Sequence, residues 1–508
     1  MISDWKKLSI HQKIGQLVMP RLDFRNSDPL PLAKELVEKF HVGGFIVFGG
    51  ELKQVREAIK LLQSISITPL FFACDAERGV GQIVSGATRF PFTMSLGAIG
   101  DEELVYRQAE YISHEMKQCG LNLVLAPVVD VNTNPENPII NIRSYGDDPQ
   151  LVSRLGSAFV RGCQDGGTLA CAKHFPGHGS VAIDSHITLP HSVQSREDFF
   201  NRDLIPFKDT IKAEVASIMA AHLAVSGIDS AGVPATISSR IVEELLIRDL
   251  GFKGLILTDS FFMGAIAELG DEKDVAPLSI LSGCDIVLDP KDPVGVIKRL
   301  NAMVGKGRLS QLLIDRSVKK LVEAKEKWLY GSSCEKSFDE DYGKNLVEEI
   351  AQRSVCLLKG GKLSSNKATV YVLDVTGDET DISSSFFEAL TNAEISCGKY
   401  SIVPSNSKQF ASRSESSKGA VICVVYTSVA AWKGHTNLPG IFKEFLTKVV
   451  ESNCEKIFIS FGSPYAVRGF EKFDTILCAF DSLEVCQKSV ADVLLGRLEA
   501  QGRLPVTL

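Results

Sequence analysis

Short apolar runs alternate with helical patterns from about residue 40 to residue 300, and this alternation restricts the possible folds more than any other feature of the sequence. Each run is almost entirely apolar, and the runs occupy 43–48, 70–74, 121–126, 169–172, 217–221, 254–257 and 285–288. Strands that are buried on both faces, as in a parallel sheet, have this composition. Helical patterns, such as those over 102–119 and 151–164, separate the runs. The repeated order of strand and helix predicts an α/β fold with a TIM (β/α)8-type barrel, and the number of strands favours the barrel over a doubly wound open sheet.

The length of the chain, 508 residues, predicts more than one domain. We predict a catalytic barrel over residues 1–330, a linker over 331–345 and a smaller C-terminal α/β domain of sandwich-like form over 346–508. The last domain is expected because four further apolar runs follow the linker, at 370–373, 420–425, 457–460 and 475–479. The serine-rich stretch 404–417 is predicted to be a surface loop, and His435 a surface residue.

Composition and charge exclude several classes of protein. The formal net charge of −7 and the isoelectric point near 5.8 argue against a nucleic-acid partner, which usually needs a basic face. No apolar run is long enough to span a bilayer, and no secretory signal stands at the N-terminus. The 12 cysteines form no C-x-x-C pair and are predicted to be reduced and buried, which favours a cytoplasmic location.

Ionisable residues stand directly after five of the predicted strands. They are Asp75, Asp130, Lys173 with His174, His222 and Asp259. In a parallel barrel the carboxyl ends of the strands converge on one rim, where the active sites of this fold lie. We therefore expect these side chains to meet in one site.

A loop rich in ionisable residues follows the apolar run 169–172. Segment 173–179 reads Lys-His-Phe-Pro-Gly-His-Gly and is followed by Asp184-Ser185-His186. Proline and glycine exclude a regular helix here. A carboxylate beside an imidazole fixes its tautomer and raises its pKa, which makes Asp184 and His186 a candidate acid/base pair. The alternatives are a solvated surface turn, or a divalent-metal site formed by His174, His178, Asp184 and His186.

Three further residues each have a functional and a structural interpretation. Asp259 closes a buried apolar run, where an unpaired carboxylate is costly, so it is either a functional group or a helix N-cap. Arg143 can bind an acceptor with several oxygens, or pair with Asp147 or Asp148. Asp75 can accept hydrogen bonds from sugar hydroxyls, or form a salt bridge to Arg78.

Three segments together resemble one enzyme family. Segment 173–186, with its Lys-His-Phe-Pro-Gly-His-Gly start and its Asp-x-His end, is similar to the signature of the family 3 glycoside hydrolases that act as β-N-acetylglucosaminidases. Segments 137–149 (Asn-Pro-Ile-Ile-Asn-Ile-Arg-Ser-Tyr-Gly-Asp-Asp-Pro) and 257–263 (Leu-Thr-Asp-Ser-Phe-Phe-Met) are similar to two further segments of this family. The resemblance runs in order over residues 8–330, and the ending 502–506 is similar to that of the family's second domain.

The resemblance implies a role for each candidate residue. Asp259 is implied to be the nucleophile of a retaining mechanism, and His186 the general acid/base that Asp184 orients. The residues implied to bind a non-reducing terminal GlcNAc are Asp75, Arg143, Lys173, His174 and His222. The resemblance implies no metal and no cofactor. Ser260 stands where many members have a second Asp. We expect Lys173 to lie close enough to Asp259 to keep it ionised.

The resulting hypothesis is a retaining exo-β-N-acetylglucosaminidase that acts on a GlcNAc-containing glycan. In a bacterial cytoplasm, recycled muropeptides from peptidoglycan are the expected substrate class. The first alternative is a phosphorylase of the same glycosides, since a histidine acid tolerates an anionic acceptor. A β-glucosidase is disfavoured by the Asp-x-His loop, which such members usually lack. A metal-dependent barrel hydrolase and a non-enzymatic sugar-binding protein are the remaining alternatives.

Overall fold

The computed structural model describes residues 4–330, 339–375, 382–402, 419–427 and 438–508. The chain divides into two compact units, neither of which is continuous in sequence. The first unit comprises Met1–Arg89, Glu102–Val131 and Pro149–Glu340; the second comprises Phe90–Asp101, Asn132–Asp148 and Asp341–Leu508. Among the described residues, no helix is both long and apolar enough to cross a membrane.

A ring of short parallel strands forms the centre of the first unit. Its strands are β1 (Val18–Met19), β2 (Arg21–Asp23), β3 (Gly44–Phe48), β4 (Phe71–Cys74), β5 (Leu123–Val124), β6 (Leu169–Phe175), β8 (Ser217–Ala220), β10 (Leu255–Thr258) and β11 (Val287–Leu288). Between them, β7 (His191–Ser192) and β9 (Ala224–Val225) form a separate parallel pair.

The ring of strands is closed. Strands β2, β3, β4, β5, β6, β8 and β10 pair in this order as one sheet. Strand β1 pairs with β11, and a parallel bridge between Leu257 and Ile286 joins β10 to the residues before β11. Because only Pro20 separates β1 from β2, these two strands together fill the first of eight positions. The predicted TIM-type barrel is therefore confirmed.

Helices follow most of the strands. In chain order they are α1 (Ile10–Gln16), α2 (Leu30–Glu38), α3 (Leu52–Ile65), α4 (Thr93–Ile99), α5 (Glu102–Cys119), α6 (Pro149–Asp165), α7 (Arg196–Asp198), α8 (Leu204–Lys212), α9 (Gly264–Leu269), α10 (Glu272–Ser282), α11 (Pro293–Gly305) and α12 (Gln311–Lys325), of which α4 belongs to the second unit. Segments Phe199–Asp203, Arg240–Asp249 and Glu326–Tyr330 are π-helical. Helices α5 and α6 confirm the two helices predicted over 102–119 and 151–164.

Burial explains why these segments have their sequence patterns. Every residue of β4, β8 and β10 is buried, so the strands have no polar alternation. In α3, by contrast, the buried residues are Val55, Ala58, Ile59 and Leu62, which lie on one face of a helix. Gly44 stands where strands approach closely, since a Cβ there would lie 2.2 Å from the Phe71 carbonyl oxygen.

A six-stranded sheet forms the second unit. Its strands are β12 (Cys356–Lys359), β13 (Lys367–Asp374), β14 (Ser396–Ile402), β15 (Ala420–Tyr426), β16 (Lys456–Phe461) and β17 (Thr475–Ala479), in the order β12-β17-β16-β15-β13-β14. Only the pairing of β12 with β17 is antiparallel among these strands. The remaining helices are α13 (Glu340–Ser354), α14 (Ser384–Asn392), α15 (Gly440–Val450) and α16 (Glu484–Leu494). Apolar clusters on both faces of the sheet confirm the predicted α/β layering.

The predicted domain boundaries need two corrections. The linker predicted over 331–345 extends too far, because α13 begins at Glu340. The first turn of α13 is polar and its buried residues begin at Gly343, so the helix start is hard to recognise in the sequence. The division at residue 330 also omits segments 90–101 and 132–148, which belong to the second unit. Residues 331–338, the loop predicted over 404–417 and His435 lie outside the described residues.

Contacts between distant parts of the chain explain the second correction. The backbone N–H of Asp147 donates to the Pro505 carbonyl oxygen over 3.1 Å. The N–H of Arg503 donates to the Ala98 carbonyl oxygen over 2.9 Å. Asn132 Nδ2 donates to the Tyr465 hydroxyl over 2.9 Å. These hydrogen bonds join segments 90–101 and 132–148 to the C-terminal part of the second unit. No local sequence pattern predicts these bonds.

The sequence prediction also omits several strands. It contains no first barrel strand, because Pro20 interrupts β1 and β2, and the polar Arg21 and Asp23 follow. It omits β12 and β14 in the second unit. Both are edge strands of the sheet, and several of their residues are exposed or half-buried, so they lack the continuous apolar character that identified the central strands.

Candidate active site

The carboxyl ends of the barrel strands bring most of the predicted site residues to one rim. Lys173 and His174 lie near the end of β6, and the others follow a strand: Asp75 follows β4, Asp130 lies beyond β5, His222 follows β8 and Asp259 follows β10. Their hydrogen bonds and ion pairs link these residues into small groups, each of which has a separate task.

Lys173 is the centre of a buried ion-pair group. Its Nζ lies 2.8 Å from Asp75 Oδ1 and 2.7 Å from Glu77 Oε1. The side chain of Asp75 is 29% exposed, whereas those of Lys173 and Glu77 are buried. Lys173 therefore orients the Asp75 carboxylate, which is the partly exposed member of the group. The structural alternative for Asp75 was a salt bridge to Arg78, and the observed salt bridge is to Lys173. The ion pairs of Lys173 are with Asp75 and Glu77, whereas from the sequence we expected it beside Asp259.

Asp130 organises the start of the loop after β6. Its Oδ2 lies 2.7 Å from His174 Nδ1, and its Oδ1 accepts the His178 backbone N–H over 2.6 Å. Burial raises the pKa of Asp130, but the neighbouring His174 and His178 outweigh this effect and the net shift is downward. The carboxylate therefore stays ionised and fixes the His174 ring.

The predicted acid/base pair is present. His186 Nδ1 lies 2.8 Å from Asp184 Oδ1, and the His186 backbone N–H donates to the same oxygen over 2.8 Å. The Asp184 side chain is fully buried, whereas that of His186 is 24% exposed. Asp184 thus holds Nδ1 of the ring, so that proton exchange falls to Nε2.

His178 connects this loop to the preceding strand. Its Nε2 lies 3.2 Å from the Ser185 hydroxyl, between the two members of the acid/base pair. Burial lowers the pKa of His178 to about 4, so the ring is neutral at physiological pH. A neutral ring serves as a hydrogen-bonding support for the loop.

Asp259 has the environment of an ionised carboxylate. Its N–H donates to the Ala220 carbonyl oxygen over 2.9 Å, and its Oδ1 accepts the Ser260 N–H over 2.8 Å. In the part of the chain that the structure describes, Oδ2 accepts no hydrogen bond. Burial opposes ionisation, but His174 and His222 and the Ser260 N–H lower the pKa of Asp259 below its usual value. The groups that lower the pKa of Asp259 are thus two histidines and a backbone N–H, where the sequence predicted Lys173.

His222 contacts the backbone of the segment that carries Asp259. It is fully buried, its Nδ1 lies 2.7 Å from the Thr236 hydroxyl, and its Nε2 lies 3.2 Å from the Ser260 carbonyl oxygen. Burial lowers the pKa of His222. The structure places His222 against the backbone of the segment that carries Asp259. The predicted contact of His222 with the sugar stays a prediction.

Asp289 also contacts the segment that carries Asp259, and this contact was not predicted from the sequence. The Ser260 hydroxyl donates to Asp289 Oδ2 over 2.6 Å, and Arg21 binds Asp289 through Nε and Nη2, each over 2.7 Å. Asp289 follows β11 directly and is fully buried. It therefore carries the same signal, a carboxylate after a buried apolar run, that identified Asp259. Arg21 lies on the unpredicted strand β2.

Arg143 belongs to the second unit, in a short helical turn at Asn141–Arg143. Its Nη1 donates to the Ile139 carbonyl oxygen over 2.8 Å. Its implied contact with the sugar stays a prediction.

Within the described residues, no group of three or more His, Cys, Asp or Glu side chains is arranged to hold a metal ion. The residues of the predicted metal site, His174, His178, Asp184 and His186, do not converge on one point but contact different partners. His174 pairs with Asp130, and His186 pairs with Asp184.

Comparison with known proteins identifies the family. Residues 9–324 match the N-terminal domain of glycosyl hydrolase family 3. A beta-hexosaminidase A of Pseudoalteromonas piscicida is 36% identical over 284 residues, which are 51% of this chain and 48% of that protein. A beta-hexosaminidase of Neisseria meningitidis serogroup C is 34% identical over 258 residues, 49% of this chain and 71% of that protein. The chain thus spans about half the length of the first of these relatives.

Solved structures resemble the whole chain. A family 3 β-N-acetylglucosaminidase from Paenibacillus sp. str. FPU-7 superimposes with a TM-score of 0.86 at 30% identity and covers 99% of both chains. A beta-glucoside phosphorylase, at 23% identity and a TM-score of 0.88, shares the fold. The chain belongs to glycosyl hydrolase family 3, as its motifs predicted. Within that family, its similarity is to members named for β-hexosaminidase and β-N-acetylglucosaminidase activity.

Proposed function

We propose that this protein is a retaining exo-β-N-acetylglucosaminidase that acts on peptidoglycan-derived muropeptides. The observation that carries the proposal is the buried Asp184 carboxylate 2.8 Å from His186 Nδ1, because it supplies a His–Asp acid/base where most glycosidases use a carboxylic acid. The names of the bacterial relatives support an acetamido sugar as the substrate.

The proposed reaction has two steps. In the first, Asp259 Oδ2 bonds to the anomeric carbon, the glycosidic C–O bond breaks, and the leaving oxygen takes the proton from His186 Nε2. In the second, Nε2 removes a proton from water, the water oxygen bonds to the anomeric carbon, and the bond to Asp259 breaks. The lowered pKa of Asp259 keeps it unprotonated before attack. Asp75 and His174 lie on the same rim and are proposed to bind the sugar hydroxyls.

A cytoplasmic location is part of the proposal. It is supported by the cysteines, since the 11 within the described residues are all reduced thiols. Structural disulfides would be expected of a protein of this cysteine content in an oxidising compartment.

The test compares release of p-nitrophenol from its β-N-acetylglucosaminide and its β-glucoside. We expect the wild type to prefer the acetamido sugar. Asp259→Ala should lower kcat by more than about a thousandfold and His186→Ala by about a hundredfold or more, since one removes the nucleophile and the other the acid. His11→Ala, in α1 before the first strand, is the matched histidine control and should keep full activity. Activity that survives Asp259→Ala would contradict the mechanism.

Two additions to the assay separate the alternatives. Inorganic phosphate in place of water as acceptor would yield GlcNAc 1-phosphate, and its formation would assign a phosphorylase. EDTA should leave the rate unchanged, and loss of activity would favour the metal-dependent alternative. A purified disaccharide–peptide from peptidoglycan tests the substrate class directly, and release of GlcNAc from it is the expected result.

A further inference from the structure

Helix α9 (Gly264–Leu269) contacts the loop that carries the acid/base pair. The Gly264 N–H donates to the His186 carbonyl oxygen over 2.9 Å, and the Ala265 N–H donates to the Ser185 carbonyl oxygen over 3.3 Å. The loop carbonyls of the catalytic residue and of its neighbour thus accept hydrogen bonds from the first turn of this helix.

Glu268 binds the same loop from the last turn of α9. Its Oε1 accepts the Thr188 hydroxyl, and its Oε2 accepts the Leu189 N–H over 3.0 Å. Both oxygens of the carboxylate therefore face residues two and three positions after His186. Hydrogen bonds to an ionised acceptor are stronger than neutral ones.

The approach of the loop to α9 requires a glycine. A Cβ added to Gly264 would lie 2.6 Å from the His186 carbonyl oxygen and 2.5 Å from that of Ile187. Both contacts are with backbone atoms, which do not move aside without shifting the loop. The first residue of the helix is therefore matched to this position of the loop.

We propose that Gly264 and Glu268 are positioning residues that hold His186 at the nucleophile, an inference that rests on the proposed function. Helix α9 begins five positions after Asp259 in the chain. Its hydrogen bonds to the loop tie the acid/base to the segment that carries the nucleophile. A helix that is short and continuous with the nucleophile segment sets the separation of the two reacting groups, which proton transfer and attack need at the same moment.

Losing the contacts between α9 and the loop should slow the reaction only for substrates whose leaving group needs a proton. A dinitrophenolate leaves without protonation, whereas a phenyl glycoside needs the acid for cleavage. A loop that is no longer held by α9 places His186 correctly for a smaller fraction of the time. Loss of the contacts that Gly264 and Glu268 make with the loop should therefore slow cleavage of the phenyl glycoside far more than cleavage of the dinitrophenyl glycoside.

The test measures kcat/KM of Glu268→Ala on the two β-N-acetylglucosaminides, because kcat/KM reports the steps up to glycosidic bond cleavage. We expect about a tenfold loss on the phenyl glycoside, part of the hundredfold or more that an acid contributes, and less than about a twofold loss on the dinitrophenyl glycoside. Glu268→Gln, which keeps one acceptor oxygen, should lie between the wild type and Glu268→Ala.

Glu272→Ala is the matched control, since both carboxylate oxygens of Glu272 also accept hydrogen bonds from a rim loop, in this case from the N–H groups of Lys291 and Asp292. It should leave the ratio of the two rates unchanged. Gly264→Ala should repeat the effect of Glu268→Ala. Gly305→Ala is its control, because a Cβ there meets no atom within 4 Å.

The outcomes separate the inference from the function on which it rests. A wild type that cleaves neither glycoside overturns the proposed function. A wild type that cleaves both, with equal losses on the two substrates in Glu268→Ala and Gly264→Ala, overturns the positioning role and leaves the function intact. A changed ratio in Glu272→Ala would also overturn it, since the effect would then not depend on contact with the loop.

Discussion

At the scale of single residues, Asp130 is the buried carboxylate on which the rim depends. It accepts hydrogen bonds from the ring of His174 and from the backbone of His178. Folding lowers the pKa of Asp130, so its contribution to stability is present at neutral pH and is lost as the pH falls through the lowered value. A neutral amide in its place would leave a buried histidine without a charged partner.

We therefore predict that Asp130→Asn lowers both stability and activity. The free energy of unfolding at pH 7 should fall by about 3 kcal/mol, as when one member of a buried pair is removed. The kcat/KM should fall by about tenfold or more, because His174 loses its orientation. Urea denaturation and the p-nitrophenyl assay measure the two effects. Asp209→Asn, a carboxylate on α8 that binds Ser153 and Lys212, is the control and should leave kcat/KM unchanged.

The sequence identifies site residues where a charged residue ends an apolar run. It does not identify the residues with which they form ion pairs. Asp75, Lys173 and Asp259 were recognised because a buried strand cannot accommodate a charge without a reason. Glu77 follows β4 and Lys173 lies near the end of β6, and these two strands are separated by β5 in the sheet. Arg21 and Asp289 come together only where the first and last strands of the barrel meet. The family resemblance supplied the assignment of Asp184 and His186, and the structure supplied the 2.8 Å contact between them.

At the scale of elements, α12 brings a lysine into the end of the barrel opposite the rim. Lys325 is 1% exposed, and its Nζ donates to Gln16 Oε1 over 2.7 Å. Gln16 in turn donates to the His41 carbonyl oxygen and accepts from Thr68. Burial lowers the pKa of Lys325 to about 7.

The prediction for α12 is a pH-dependent stability. Between pH 7 and pH 10.5 the unfolded chain binds a proton at Lys325 that the folded protein does not, so this residue makes stability rise with pH. The slope is at most about 1.4 kcal/mol per pH unit. Lys325→Met should remove it, which urea denaturation at pH 7 and pH 9 measures relative to the wild type. Lys319→Met, exposed on the same helix, should keep the wild-type slope; an unchanged slope in Lys325→Met would contradict the shifted pKa.

The sequence predicted those strands and helices whose pattern of buried residues is regular. Central strands such as β4 and β10 are buried throughout, and helices such as α5 have a clear apolar face. The first barrel position escaped notice because a proline divides it, and β14 because it is a half-exposed edge strand. A strand whose hydrogen bonds and neighbours come from remote parts of the chain needs little of its own apolar character.

At the scale of the whole molecule, the second unit includes two segments from the N-terminal half of the chain. Met94, Ala98 and Ile142 from these segments are buried in an apolar cluster with residues such as Phe458 and Val506. Cutting the chain after residue 330 would therefore uncover apolar surface within the first 330 residues.

We predict that residues 1–330 alone are less soluble and less stable than the full chain. Each uncovered large apolar side chain costs about 1.5–3 kcal/mol. Expression, sedimentation and thermal unfolding of the fragment against the full chain provide the measurement. Co-expression with residues 331–508 should restore soluble protein, and a fragment as stable as the full chain would contradict the division into units described above. Sequence reasoning placed the boundary at residue 330 because apolar runs reveal elements and not which unit they join.

The same interleaving governs the order in which the protein can be completed during its synthesis. A ribosome adds roughly 5–20 residues per second, so segments 90–101 and 132–148 emerge on the order of ten seconds or more before the C-terminal strands that cover them. During that interval the nascent barrel carries apolar segments with no partner. The chain therefore cannot finish one unit before starting the other, and these apolar segments stay uncovered until residues 341–508 have emerged.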